Sequence, residues 1–155
     1  MPSLNIQIIN AQTCLRLRKT SLKKLIERAC RKLGLTKGVI SFVFTDDRRI
    51  RLLNKEYFRK DRPTDVICFD LRDDADPSGC LAEVIISCEQ ARRNWRIFST
   101  DLRRELLLYV VHGLLHLFGF KDTTLSQKKI IRKKEEELIS FLYKTEKRSI
   151  ASMVV

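Results

Sequence analysis

A chain of 155 residues, 44% hydrophobic and 32% charged, is long enough for one domain with a true core, and its composition is neither collagen-like nor disordered. Its 31 Lys and Arg against 19 Asp and Glu leave a net charge of +12, which favours a polyanion such as nucleic acid, because neutralised phosphates release condensed counterions. An anionic membrane surface, or a basic face serving only solubility, would use the same charge.

No run of 18 apolar residues is present to span a bilayer. The opening MPSLNIQIIN lacks the basic and apolar regions of a signal peptide. The cysteines (Cys14, Cys30, Cys68, Cys80, Cys88) are odd in number and form no C-x-x-C pair. They fit reduced thiols of a cytoplasmic protein better than a disulfide framework or a thiolate zinc site.

In chain order, residues 4–9 (LNIQII) alternate enough for a first strand. Ser21 could cap a helix through LKKLIERACRKL, with Leu22, Leu25, Ile26, Ala29 and Leu33 on one face and Gly34 at the C′ position. Residues 39–44 (VISFVF) are β-branched and aromatic and read as a strand. A helix from about Asp46 to Arg59 carries Ile50, Leu53 and Tyr57. Beyond Pro63, DVICFDL and LAEVIIS flank the polar RDDADPSG and predict an antiparallel pair with a long loop.

Helices are expected over 88–97, 100–118 and 124–145, and the KKEEE run at 133–137 reads as an exposed helix face. Together these elements predict an α+β fold in a single domain over 1–155. A small mixed four-stranded sheet is packed by about five helices, one of them central. Residues 147–155 are expected to form a mobile tail, although their apolar end could dock.

The chemistry concentrates in ELLLYVVHGLLHLFGFKD, residues 105–122. Apolar residues cover nearly every side of this helix, so it is central and buried. His112 and His116, the two histidines of the chain, stand at i, i+4, which places both imidazoles on one face where they can bind one metal ion, so a zincin-like central metal-binding helix is expected. Gly119 stops the helix and turns the chain back towards them. Asp122 then has two readings: third metal ligand, or cap of the last helix, since Asp-Thr-Thr precedes Leu125. Three protein ligands would leave a position open for water, as catalytic rather than structural zinc requires. Gly113 stands where metalloprotease helices carry a general-base Glu, which weighs against peptidase chemistry.

HGLLHLFGFKD resembles the signature of the YbeY family, H-G-x-L-H-L-x-G followed by an aromatic or His, Asp and His. LNKEYFRKDRPTDVICF is similar to that family's L-N-x-x-Y-R-x-x-D-x-P-T-D-V-L-S-F, and LAEVIIS to its L-G-D-I-V-I-S strand. These segments span residues 53–122 in the family's order. The resemblance implies a zinc-dependent, single-strand-specific endoribonuclease acting in 16S rRNA 3′-end maturation and ribosome quality control. It would hold one Zn²⁺ per chain at His112, His116 and the position of Asp122. Its partners would be single-stranded RNA or rRNA and the ribosome or its small subunit, with no membrane.

Two segments depart from the pattern, at three positions. Asp122 and Lys121 replace a His ligand and the Asp before it. Phe58 replaces an Arg thought to serve RNA or the reaction, leaving Arg59 as the catalytic candidate in its stead. The same departures point to a second function, a non-catalytic RNA- or ribosome-binding assembly factor with a weakened metal site. Further candidates are Trp95 and Phe98 for base stacking beside Arg92, Arg93 and Arg96, and Asp65 and Glu83 as supporting or catalytic carboxylates. For each of these, core packing or a structural hydrogen bond is the competing use.

Overall fold

The computed structural model describes residues 3–75, 80–97 and 99–155. Its four strands are β1 (Leu4–Asn10), β2 (Gly38–Thr45), β3 (Val66–Asp70) and β4 (Cys80–Ser87). They lie in the order β1-β2-β4-β3, with β1, β2 and β4 parallel and β3 antiparallel to β4. The helices are α1 (Lys19–Lys32), α2 (Asp47–Phe58), α3 (Cys88–Ile97), α4 (Leu102–Leu117), α5 (Leu125–Thr145) and α6 (Lys147–Ser152). The α+β class, the mixed sheet and the β3–β4 antiparallel pair match expectation, and the helix count rises from five to six. Phe98 and residues 76–79, part of the expected long loop, lie outside the described residues.

Alternation along the strands sends Ile40, Phe42 and Phe44 of β2 and Ala82, Val84 and Ile86 of β4 to one face, where all are fully buried. Against them pack the apolar stripe of α1 (Leu22, Leu25, Ile26, Ala29) and nearly the whole girth of α4. Each fully buried Leu, Ile or Phe contributes about 1.5–3 kcal/mol, so this face carries most of the stability. The other face is thinner: Val43, Ile67 and Ile85 meet Ile50 of α2 in a small separate cluster.

α4 approaches the sheet so closely that a Cβ on Gly113 would sit 2.6 Å from Val84 Cγ1. Position 113 therefore faces the sheet and sets the spacing between helix and strand, which accounts for glycine there.

Two local expectations are corrected. α1 begins before Ser21, at Lys19, with Arg18 at the N-cap and no side-chain cap. Ser21 is instead buried inside the helix, its hydroxyl 2.6 Å from that of Ser152. The tail expected to be mobile is docked: α6 forms, and Ile150, Met153 and Val154 are buried. Backbone hydrogen bonds from Arg18 N–H to Met153 O (2.9 Å) and from Val155 N–H to Arg16 O (2.8 Å) tie it down. The Arg103 guanidinium adds bonds to the carbonyls of Ala151 (3.2 Å) and Val154 (2.9 Å). Burial of three apolar side chains outweighs the conformational entropy that favours fraying.

Candidate metal centre

On α4, residues 105–107, 109–111, 113–115 and 117 are buried, while Arg104, Leu108, His112 and His116 are only half-buried. These four recur every fourth residue, so the helix has one open stripe and both histidines lie on it.

The turn after α4 holds the second imidazole. Gly119 takes a left-handed φ of 89°, Gly119 N–H bonds His116 O (3.0 Å), and Phe120 N–H bonds Leu115 O (3.1 Å). This paired closure turns the Phe120 carbonyl back onto the helix, where it accepts from His116 Nδ1 at 2.9 Å. A carbonyl only accepts, so in the neutral ring the proton of His116 belongs on Nδ1, which leaves the lone pair on Nε2.

His112 is held by a side chain. Its Nδ1 lies 2.7 Å from Glu135 Oε1, a carboxylate buried on α5. Burial works to lower the His112 pKa, and the hydrogen bond and charge of Glu135, with the charges of Asp65 and Asp122, outweigh it, so the net shift is upward. In the neutral ring this contact also leaves the lone pair on Nε2.

The two Nε2 atoms stand 2.8 Å apart, with Asp122 Oδ2 at 3.3 Å from the first and 3.6 Å from the second. Three electron-pair donors thus meet at one point, all within 4.8 Å of one another. Such a set repels itself unless a cation or a shared proton sits between its members. Ligands on a tetrahedral zinc at about 2.0–2.1 Å stand roughly 3.3 Å apart, so the donor set fits that ion after a small opening of the imidazole pair.

The cap alternative for Asp122 is already filled. Thr124 is the N-cap of α5, its hydroxyl accepting from Gln127 N–H at 3.1 Å while Gln127 Oε1 accepts from Thr124 N–H at 3.1 Å. Asp122 is left free to face the histidines.

A cleft of about 210 Å³ opens beside this point, walled by Asp65, Tyr109, His112, Asp122, Lys128 and Arg132. Asp65 Oδ1 accepts from Val66 N–H at 2.8 Å, which settles the carboxylate at the start of β3. A larger hollow of about 530 Å³ runs along α2, but it holds no imidazole, and its Asp61 and Asp47 are engaged by Arg51 (2.8 Å) and Arg93 (2.6 Å).

Other sequence candidates lie elsewhere. Glu83 is on the opposite sheet face, beside Arg49 and Tyr57. Arg59 occupies the left-handed C-cap of α2 (φ 58°), exposed and outside the cleft. Phe58 stacks on Phe69, ring centroids 6.1 Å apart. Trp95 is half-buried under the Arg96 guanidinium at 5.7 Å, and Phe98 lies outside the described residues. Cys30 and Cys88 are buried, with thiols pushed well up by burial, and no cysteine joins the donor group among the described residues.

Glu135 belongs to the site, although the KKEEE run in which it stands reads as an exposed helix face. The signal was present in the helical period. Ile131, Leu138, Ile139 and Leu142 form the buried stripe of α5, and Glu135 falls on it four residues after Ile131.

The family model described as Endoribonuclease YbeY matches residues 7–143. A protein named Endoribonuclease YbeY from Carboxydothermus hydrogenoformans is 40% identical over 105 residues, covering 68% of this chain and 73% of that one. One of the same name from Christiangramia forsetii is 35% identical over 126 residues, covering 81% and 86%. Among solved structures, the solution structure of TM1509 from Thermotoga maritima superposes with a TM-score of 0.58 at 24% identity, covering 91% of this chain and 93% of that one. This last likeness concerns the fold.

Proposed function

Because the chain belongs to the endoribonuclease YbeY family, we propose that it is a zinc-dependent endoribonuclease that cuts single-stranded RNA. Its place of work, on this reading, is the cytoplasm, in 3′-end maturation of 16S rRNA and quality control of the ribosome. The observation that carries the catalytic part is the convergence of His112 Nε2, His116 Nε2 and Asp122 Oδ2 on one point at the rim of an open cleft.

Two nitrogens and one oxygen suit zinc, one ion per chain, and leave room for a further ligand. When bound, the ion supplies acidified water and offsets charge on the phosphodiester. The chain's own residues prepare that place. Phe120 O and Glu135 hold the two rings in the tautomer that exposes Nε2. Asp122 brings one negative charge where the family pattern carries a neutral imidazole. Gly113 faces Val84, so the position used for a general base in metalloprotease helices points away from the cleft. No helix among the described residues is long and apolar enough to cross a membrane.

The test combines elemental analysis with cleavage of single-stranded rRNA fragments by purified wild type and His112→Ala. Zinc near one per chain and cleavage, both lost in the variant, are expected. Cleavage that survives in His112→Ala would refute the site. Zinc without any cleavage would favour the assembly-factor reading, for which the apolar Phe58 speaks.

A further inference from the structure

Lys128 and Arg132 share the cleft with His112 and Asp122, yet nothing in the sequence separates them from the other basic residues of a charged helix. They stand one turn apart on α5, so their side chains leave the same face of that helix. Neither makes a side-chain hydrogen bond or ion pair among the described residues. Their neighbours on α5 are committed: Glu135 to His112 at 2.7 Å and Glu136 to Arg104 at 2.8 Å.

Charge balance gives the pair a task. The cleft wall carries three carboxylates, Asp65, Asp122 and Glu135. With a divalent ion alone the cleft would still hold one net negative charge and repel a phosphodiester. The two cations of α5 reverse that sign. Among the described residues, none of the α2 cations lines the cleft, and Arg59 at its C-cap lies outside the wall.

We propose that Lys128 and Arg132 grip the phosphates beside the one that is cut and so lay the strand across His112 and Asp122. The inference rests on the reading of the centre as an RNA-cutting site. An arginine fork can take two phosphate oxygens at once, while the lysine acts as a point charge.

The experiment uses the full-length protein with zinc added and fluorescein-labelled (dT)10, a single strand that an RNA-specific nuclease leaves whole. Binding is followed by anisotropy over a range of salt. Lys128→Gln/Arg132→Gln is compared with Lys129→Gln/Lys133→Gln, which removes the same charge from exposed positions of α5 outside the cleft. The first pair is expected to weaken binding at least tenfold at low salt, and to lower the slope of log affinity against log salt by about 1.4, near 0.7 per lost contact. The second pair should do less than half of this, and zinc affinity should stay within about threefold of wild type in both. Unchanged binding, equal weakening by both pairs, or lost zinc would each overturn the proposal. Cleavage of a ten-uridine RNA by wild type is scored separately: a protein that binds (dT)10 as described yet leaves that RNA intact would overturn the nuclease reading and not this placement.

Discussion

The two faces of the sheet are made from alternate residues of the same strands, and they end in opposite conditions. One is sealed by α1, α4, α5 and α6, with Phe42, Phe44, Val84 and Ile86 wholly buried. The other is covered by α2 alone and leaves Leu52 (59%), Tyr57 (59%) and Phe58 (48%) exposed. The metal-ligand candidates belong to the sealed side, on the one half-open stripe of its most buried helix. Imidazoles aimed at a common point need a scaffold whose side chains are locked by packing, and only this side offers one. The open side carries aromatic and basic residues but no convergent donor set among the described residues.

On that contrast, changes on the sealed side act on the metal or on the fold, and changes on the open side act on neither. The largest effect is expected from His116→Ala, which removes one of three donors and should abolish zinc binding at micromolar metal, as read by elemental analysis after dialysis. Retained zinc would place the ion elsewhere. Next comes Glu135→Gln, which keeps the size of the side chain but loses the charge that steadies His112. Zinc affinity should fall about 10–100-fold while the far-ultraviolet circular dichroism stays unchanged.

Gly113→Ala forces a Cβ against Val84, a buried, β-branched side chain with little freedom to yield. It should destabilise the protein by about 1–3 kcal/mol, seen as a shift of the urea midpoint. A neutral outcome would mean that α4 and the sheet are spaced more loosely than described. The smallest effect belongs to the open face, where Tyr57→Ser and Arg59→Gln should alter zinc affinity by less than about twofold and stability by about 0.5 kcal/mol or less. Loss of cleavage in Arg59→Gln alone would show that the C-cap of α2 swings into the cleft and would weaken the contrast.

Legibility in the sequence followed the same division. The strands VISFVF and LAEVIIS and the buried α4 could be read because their side chains act through local period, and that period is what burial selects. The histidine pair could be read because i, i+4 spacing is itself a geometry. Glu135 and the α5 cations were hidden because their roles depend on how α5 crosses α4, which no local pattern encodes. Ser21 looked like a cap because it precedes a helical apolar stripe, whereas its hydroxyl is used by Ser152 at the far end of the chain. The docking of the last residues is hidden for a related reason, since Ile150 and Met153 are buried against elements such as α1 that lie far away in sequence.

Asp122 offers the most direct test of the centre, because Thr124 already caps α5 and leaves this carboxylate no structural duty there. Zinc affinity should be measured by competition with a chromophoric chelator for wild type, Asp122→Ser and Asp122→His, with thermal stability of the metal-free proteins as control. The three-donor account predicts that Asp122→Ser loses at least about a hundredfold in affinity with little change in metal-free stability, while Asp122→His retains tight binding. Equal zinc affinity in wild type and Asp122→Ser would contradict it.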